Sequence, residues 1–193
     1  MKRHLSLLFV LLLTMTSSVQ AFNGYYAPPK QTIESPLQTI QSALEKLQAF
    51  STNKKNTNPE LLRGFIENEI IPHFAFDQMT YWIAGPYARR MNAENMKELE
   101  NSVKKTFLNS LSTHLGNYNA SSIRANLKRA QYRGRDEANV SMMLIGTKQM
   151  PDRLDFRMKL QGKNWKIIDI TANGLSAAMY YRQYFMSTLQ QYR

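Results

Sequence analysis

Catalysis needs polar groups that converge, so the histidines and carboxylates are the place to begin. The chain has three histidines, His4, His73 and His114. His73 follows Pro72 at a helix boundary, and His114 lies on a helix beside its apolar face. Neither has a partner at the spacing that binds a metal. Cysteine is absent, which removes thiolate sites. Both histidines therefore read as structural or surface residues. Asp155 and Asp169 fall on neighbouring predicted strands, where paired carboxylates would serve as general acid and base. Asp155 alternates with Leu154 and Phe156 and is expected to face away from the core. Asp169 shares a strand face with Trp165 and Ile167 and is expected to be partly buried. A structural ion pair with an arginine is the expected role of each. The chain contains no Gly-x-Ser-x-Gly elbow and no phosphate-binding glycine loop. No catalytic residue, no metal site and no cofactor is assigned.

The elements that would position such groups are legible in the spacing. Ser35, Pro36 and Gln38 make a capping box ahead of an amphipathic stripe of Leu37, Ile40, Leu44 and Leu47. A polar break follows at Thr52–Thr57. Asn58-Pro59 opens a second helix with Leu61, Leu62, Phe65, Ile66 and Ile70 on its apolar face, and Pro72 ends it. A short third helix is predicted over Phe74–Ile83, stopped by Gly85-Pro86. Asn92 caps a long fourth helix with Met96, Leu99, Val103, Phe107, Leu111 and Leu115 on one face, and Gly116 is its stop.

The period then changes to two. Strands are predicted over Ser122–Gln131, Asn139–Thr147, Leu154–Leu160 and Trp165–Ile170, with turn chemistry at Arg133–Asp136, Pro151-Asp152 and Gln161–Asn164. A last helix runs from about Ser176. Short turns between strands predict an antiparallel meander. The predicted class is α+β, with helices packed on one face of a four-stranded twisted antiparallel sheet.

The first 21 residues have the form of a cleaved export signal. Lys2 and Arg3 precede an apolar run from Leu5 to Leu13, and Val19-Gln20-Ala21 has the small-residue cleavage pattern. A retained anchor would need a longer run, since spanning a bilayer takes roughly 20 apolar residues. The organisation expected is a signal peptide at 1–21, a lead-in at 22–35 and one domain at 36–193. Losing Lys2 and Arg3 lowers the formal charge from +11 to +9. That balance favours anionic partners such as lipid headgroups, or reflects a solvated basic surface. Nucleic acid fits poorly in an exported chain with no basic-aromatic motif. The 11 Met, 10 Tyr and 9 Phe are either ordinary core or adaptable walls around a variable content.

Two blocks of residues carry a resemblance. One is Asn58-Pro59-Glu60-Leu61-Leu62-Arg63-Gly64-Phe65-Ile66, continuing to Glu69-Ile70-Ile71-Pro72. The other joins Arg153-Leu154-Asp155-Phe156, Asn164-Trp165-Lys166-Ile167-Ile168-Asp169, Gly174-Leu175-Ser176 and Tyr181-Arg182-Gln183-Tyr184-Phe185. In order and spacing, over roughly Leu37–Phe185, the chain resembles the MlaC, or toluene-tolerance, family of periplasmic phospholipid-binding proteins. The resemblance implies an NTF2-like arrangement enclosing an apolar cavity, with acyl chains between sheet and helices. It implies a carrier moving diacyl phospholipid between an outer-membrane lipoprotein–porin complex and an inner-membrane ABC transporter with an MCE-domain protein, in support of outer-membrane lipid asymmetry. Many members continue past the terminal helix into a further amphipathic segment, whereas this chain stops at Arg193.

On inward-reading faces the expected lipid lining is Ile66, Ile70, Trp82 and Ile83 from the short helices, and Phe107 and Leu111 from the long one. The strands add Met142, Leu144, Phe156, Met158, Ile168 and Ile170. Tyr181 and Arg182 are expected to dock the last helix, and Trp165 and Asp169 to be structural. Two other readings stand beside the carrier. A cavity enzyme would need an ionisable group inside the apolar walls. A ligand-free basic adaptor would have a filled core.

Overall fold

The structure, a computed structural model, describes residues 33–52, 58–116, 124–146 and 152–190. The expected signal peptide, the lead-in up to Thr32, most of the polar break, Pro151 and His4 lie outside the described residues, as does the side chain of His114.

The predicted caps form. Helix α1 covers Pro36–Thr52. The Gln38 N–H donates to Ser35 Oγ at 3.2 Å, and the Ser35 N–H donates back to Gln38 Oε1 at 2.9 Å, closing the capping box. Helix α2 (Pro59–Phe65) starts where Asn58 Oδ1 accepts the Glu60 N–H at 2.8 Å. It does not end cleanly at Pro72. It widens into a π-type turn over Ile66–Ile70 and then tightens into a 3₁₀ turn over Ile71–His73. Helix α3 covers Phe76–Ala84, shorter at its start than predicted, because Phe74 is extended and bridges to Ile167 in parallel. A 3₁₀ turn at Gly85–Arg89 leads to α4 (Ala93–Gly116), capped by Asn92.

The sheet has six strands, not four. They are β1 (Arg124–Leu127), β2 (Gln131–Arg133), β3 (Glu137–Ile145), β4 (Asp152–Gln161), β5 (Asn164–Ala172) and β6 (Leu175–Ser176). The order is β1-β3-β4-β5-β6, with β2 also on β3 and every pairing antiparallel. The predicted Ser122–Gln131 strand is broken because Lys128–Ala130 stand opposite only Val140 and Ser141, which kinks the edge. The extra β6 is a two-residue pairing that starts the last helix, α5 (Ala177–Gln190).

Helices do not keep to one face. Ile40 of α1 packs with Val140, Met142, Phe156 and Met158 on one side. On the other side Trp82 of α3 covers the Arg157 guanidinium at 4.1 Å from its ring centre. β5 also carries a bulge. Arg157 pairs with Asp169 while Met158 pairs with Ile167, so Ile168 is extra and the pattern is offset. Asp169 therefore shares a face with Arg157 rather than with Ile167. It is 6% exposed, and it accepts from Ser176 Oγ at 2.6 Å and from the Ala178 N–H at 3.0 Å. Among the described residues it pairs with no arginine; the carboxylate holds the start of α5. Asp155 does pair with an arginine, Arg153, at 2.9 Å.

Candidate functional site

Apolar packing divides into two clusters. A helical one gathers Ile66, Met79, Ile83, Val103 and Phe107, and a sheet one gathers Ile40, Val140, Met142, Met158 and Trp165. Phe74 and Ile170 touch both. Along that seam runs a cleft of about 200 Å³.

Each wall follows from a pattern in the sequence. The amphipathic stripe of α1 supplies Ile40, Ala43, Leu44 and Leu47. The π-type turn re-aims Ile70 inward, and the extended residue after it contributes Phe74. The lower turns of α4 give Phe107, Leu111 and Leu115 at helical spacing. The strands complete it with the alternate pairs Met142 and Leu144, and Leu154 and Phe156, and with Ile167 and Ile170, which the β5 bulge brings to the same face. Phe74, Phe76 and Phe107 form an aromatic group with centres 4.8–5.8 Å apart, and Tyr181 meets Phe107 edge-on at 6.4 Å.

Of the expected lining, Ile70, Phe107, Leu111, Met142, Leu144, Phe156 and Ile170 border the cleft. Ile66, Ile83, Met158 and Ile168 do not. They are almost fully buried, Ile66 and Ile83 within the helical core and Met158 within the sheet core. Trp82 also lies elsewhere, over Arg157. The sequence reading omitted Ile40, Ala43, Leu44, Leu47, Phe74, Leu115, Leu154 and Ile167. The α1 stripe was a usable signal. Phe74 was not, because it reads as part of a helix.

Every residue that lines the cleft is apolar, and none has a titratable side chain. The shifted groups lie outside it. Burial lowers the His73 pKa, helped by the Lys46 and Lys166 charges and opposed by Glu34 and Glu69. Desolvation pushes the Asp155 carboxyl up. The hydrogen bonds from Ser141 and Arg153, with the Arg153 charge, outweigh it and leave the value lowered. Burial raises the Tyr181 phenol against a hydrogen bond with Ser110. Arg182 donates to the Ile83 carbonyl at 3.2 Å and to the Trp82 carbonyl, docking α5 on the end of α3. Among the described residues no helix is long and apolar enough to cross a membrane.

The family model described as MlaC protein matches residues 38–193. Among solved structures, the chain is similar to the phospholipid-binding protein from Ralstonia solanacearum in complex with a phospholipid. The TM-score is 0.71 at 17% sequence identity, covering 82% of this chain and 89% of that one. At that identity the likeness establishes the fold. No curated protein matches the chain in sequence. With the family match running through the five α-helices and six strands of the described residues, the chain belongs to the MlaC family.

Proposed function

We propose that this protein is a periplasmic phospholipid carrier that catalyses nothing, holds acyl chains in the seam between its helical and sheet cores, and leaves the headgroup in water. The observation that carries the reading is the wholly apolar lining of the cleft. Two acyl chains hold about 30 methylene groups at about 0.8 kcal/mol each, so exposing them to water costs on the order of 25 kcal/mol. A carrier needs only to match the bilayer interior to make transfer nearly neutral. In this reading, which the family resemblance supports, the lipid moves between an outer-membrane lipoprotein–porin complex and an inner-membrane ABC transporter with an MCE-domain protein. The export signal expected at 1–21 fits that location, and helices packed against an open antiparallel sheet are compatible with the expected NTF2-like arrangement.

The cleft of about 200 Å³ is smaller than ordinary ligand sites, which run to roughly 300–1,000 Å³. Loading therefore parts the seam. The cost is modest, because each cluster keeps its own core and only Pro36, Thr39 and Ile40 of α1 are buried.

Native mass spectrometry of the mature protein, purified from bacteria without detergent, tests the reading. A bound mass equal to a diacyl phospholipid, released on denaturation, is expected. A clean lipid-free mass that persists after incubation with phospholipid vesicles would overturn it in favour of the ligand-free adaptor.

A further inference from the structure

The side of the molecule formed by α3, the Gly85–Arg89 turn and α5 has a surface that the cleft does not use. Two adjoining hollows of about 450 and 370 Å³ meet at Pro86 and Arg182 and share no residue with the cleft. One wall is a stripe of Met179, Arg182 and Met186 on α5, spaced so that they fall on one side of the helix. The facing wall includes Tyr81, Arg89 and Arg90. Tyr81 and Met179 are 53% and 52% exposed.

Every charged side chain that lines the two hollows is an arginine, and the Asp169 carboxylate that touches the lining is buried beneath Ser176 and Ala178. Between Asp77 and Glu94 the chain carries no carboxylate, and it has none after Asp169. Arg89 and Arg90 are exposed and make no ion pair among the described residues. Arg182 is fixed by two carbonyls of α3. The groove thus combines a held arginine, two uncommitted arginines, aromatic rings and adaptable methionines, the composition of protein–protein hot spots.

We infer that this groove docks an acidic segment of a partner protein, seating an apolar side chain of that segment between α3 and α5 while its carboxylates meet Arg89 and Arg90. The concave form suits a polypeptide segment better than a flat bilayer, and the charge supplies complementarity and orientation. The inference does not depend on what the cleft holds.

Labelled synthetic peptides in which Asp and Glu alternate with Leu and Phe are the probe, with Lys-for-acid counterparts as control and fluorescence anisotropy as readout. The full mature chain should bind the acidic peptides, more weakly as salt rises, and not the Lys peptides. Arg89→Glu with Arg90→Glu should weaken binding by about tenfold or more, and bound peptide should slow amide exchange across 81–90 and 179–186. Both arginines are exposed, so the variant should fold. Arg89→Ser with Arg90→Ser serves in its place if circular dichroism shows otherwise. Lipid occupancy by native mass spectrometry should be unchanged in the variant. Equal binding of acidic and Lys peptides, no effect of the double variant, or protection elsewhere would each overturn the inference. So would sedimentation with phosphatidylglycerol vesicles, or self-association, that is lost in the variant while no peptide binds.

Discussion

Phe107 and Phe156 stand on opposite walls of the cleft, one on α4 and one on β4, and both are nearly buried. A carboxylate at either position would have to be desolvated against acyl chains, which is costly for an unpaired charge. Phe107→Asp and Phe156→Asp are each expected to abolish lipid retention, read as loss of the bound mass, and to lower stability by about 3–5 kcal/mol or more, the cost of emptying such a site. Full occupancy in a folded variant would remove those residues from the lining. His73 makes a separate prediction. Its folded pKa lies below the ordinary 6.5, because of burial first and of Lys46 and Lys166 next. The unfolded chain therefore takes up the proton first as the pH falls. Stability conferred by neutral His73 is full above about 6.5 and declines from there down to the folded value, below which the penalty is constant. Urea midpoints of wild type and His73→Asn, compared between about pH 5 and pH 8, should diverge only in that window, with lipid occupancy unaffected. A difference that does not depend on pH would show that His73 acts by packing alone.

At the scale of elements, α5 depends on one carboxylate. Asp169 satisfies the Ala178 N–H and the Ser176 hydroxyl, both near the first turn of the helix. Asp169→Ala leaves a buried donor unpaired and should cost about 1–3 kcal/mol, measured by urea denaturation. Asp169→Asn keeps one acceptor for Ala178 and should recover part of that loss. Asp169 also shows where sequence reading reached its limit. Alternation from Trp165 puts it on the core face, and only the extra Ile168 moves it to the other. A bulge within Lys166-Ile167-Ile168-Asp169 has no local signal, since the apolar pair fits either register. The same holds for the Ile66–Ile70 turn, where one residue too many is accommodated inside an otherwise helical run. By contrast Ser35/Gln38, Asn58 and Asn92 announced their helices, because a cap is a short-range hydrogen bond written in two or three residues. The cleft was half legible for the same reason. Periodicity identifies which residues turn inward, and it identified Phe107, Leu111 and Phe156. It cannot say which inward residues meet a neighbour and which meet a gap, and Ile66, Ile83 and Met158 meet neighbours.

For the whole molecule the decisive property is that its apolar interior is two clusters with a seam, not one close-packed core. A filled interior gains nothing from lipid, whereas a seam that lipid occupies is stabilised by every apolar contact the chains make. Binding to the folded state alone raises stability by about 2.7 kcal/mol when lipid is available at a hundred times its dissociation constant. For a domain of about 150 residues that corresponds to roughly 5–10 °C in melting temperature. Protein stripped of lipid by unfolding and refolding should therefore melt lower than protein as purified, by a shift in that range, and reloading from vesicles should restore it. Phe156→Asp should melt at one temperature whatever its treatment, because it has no lipid to lose. Identical melting of stripped and native wild-type protein would mean that the seam closes on itself at no cost, and that the cleft is a packing defect and not a place for cargo.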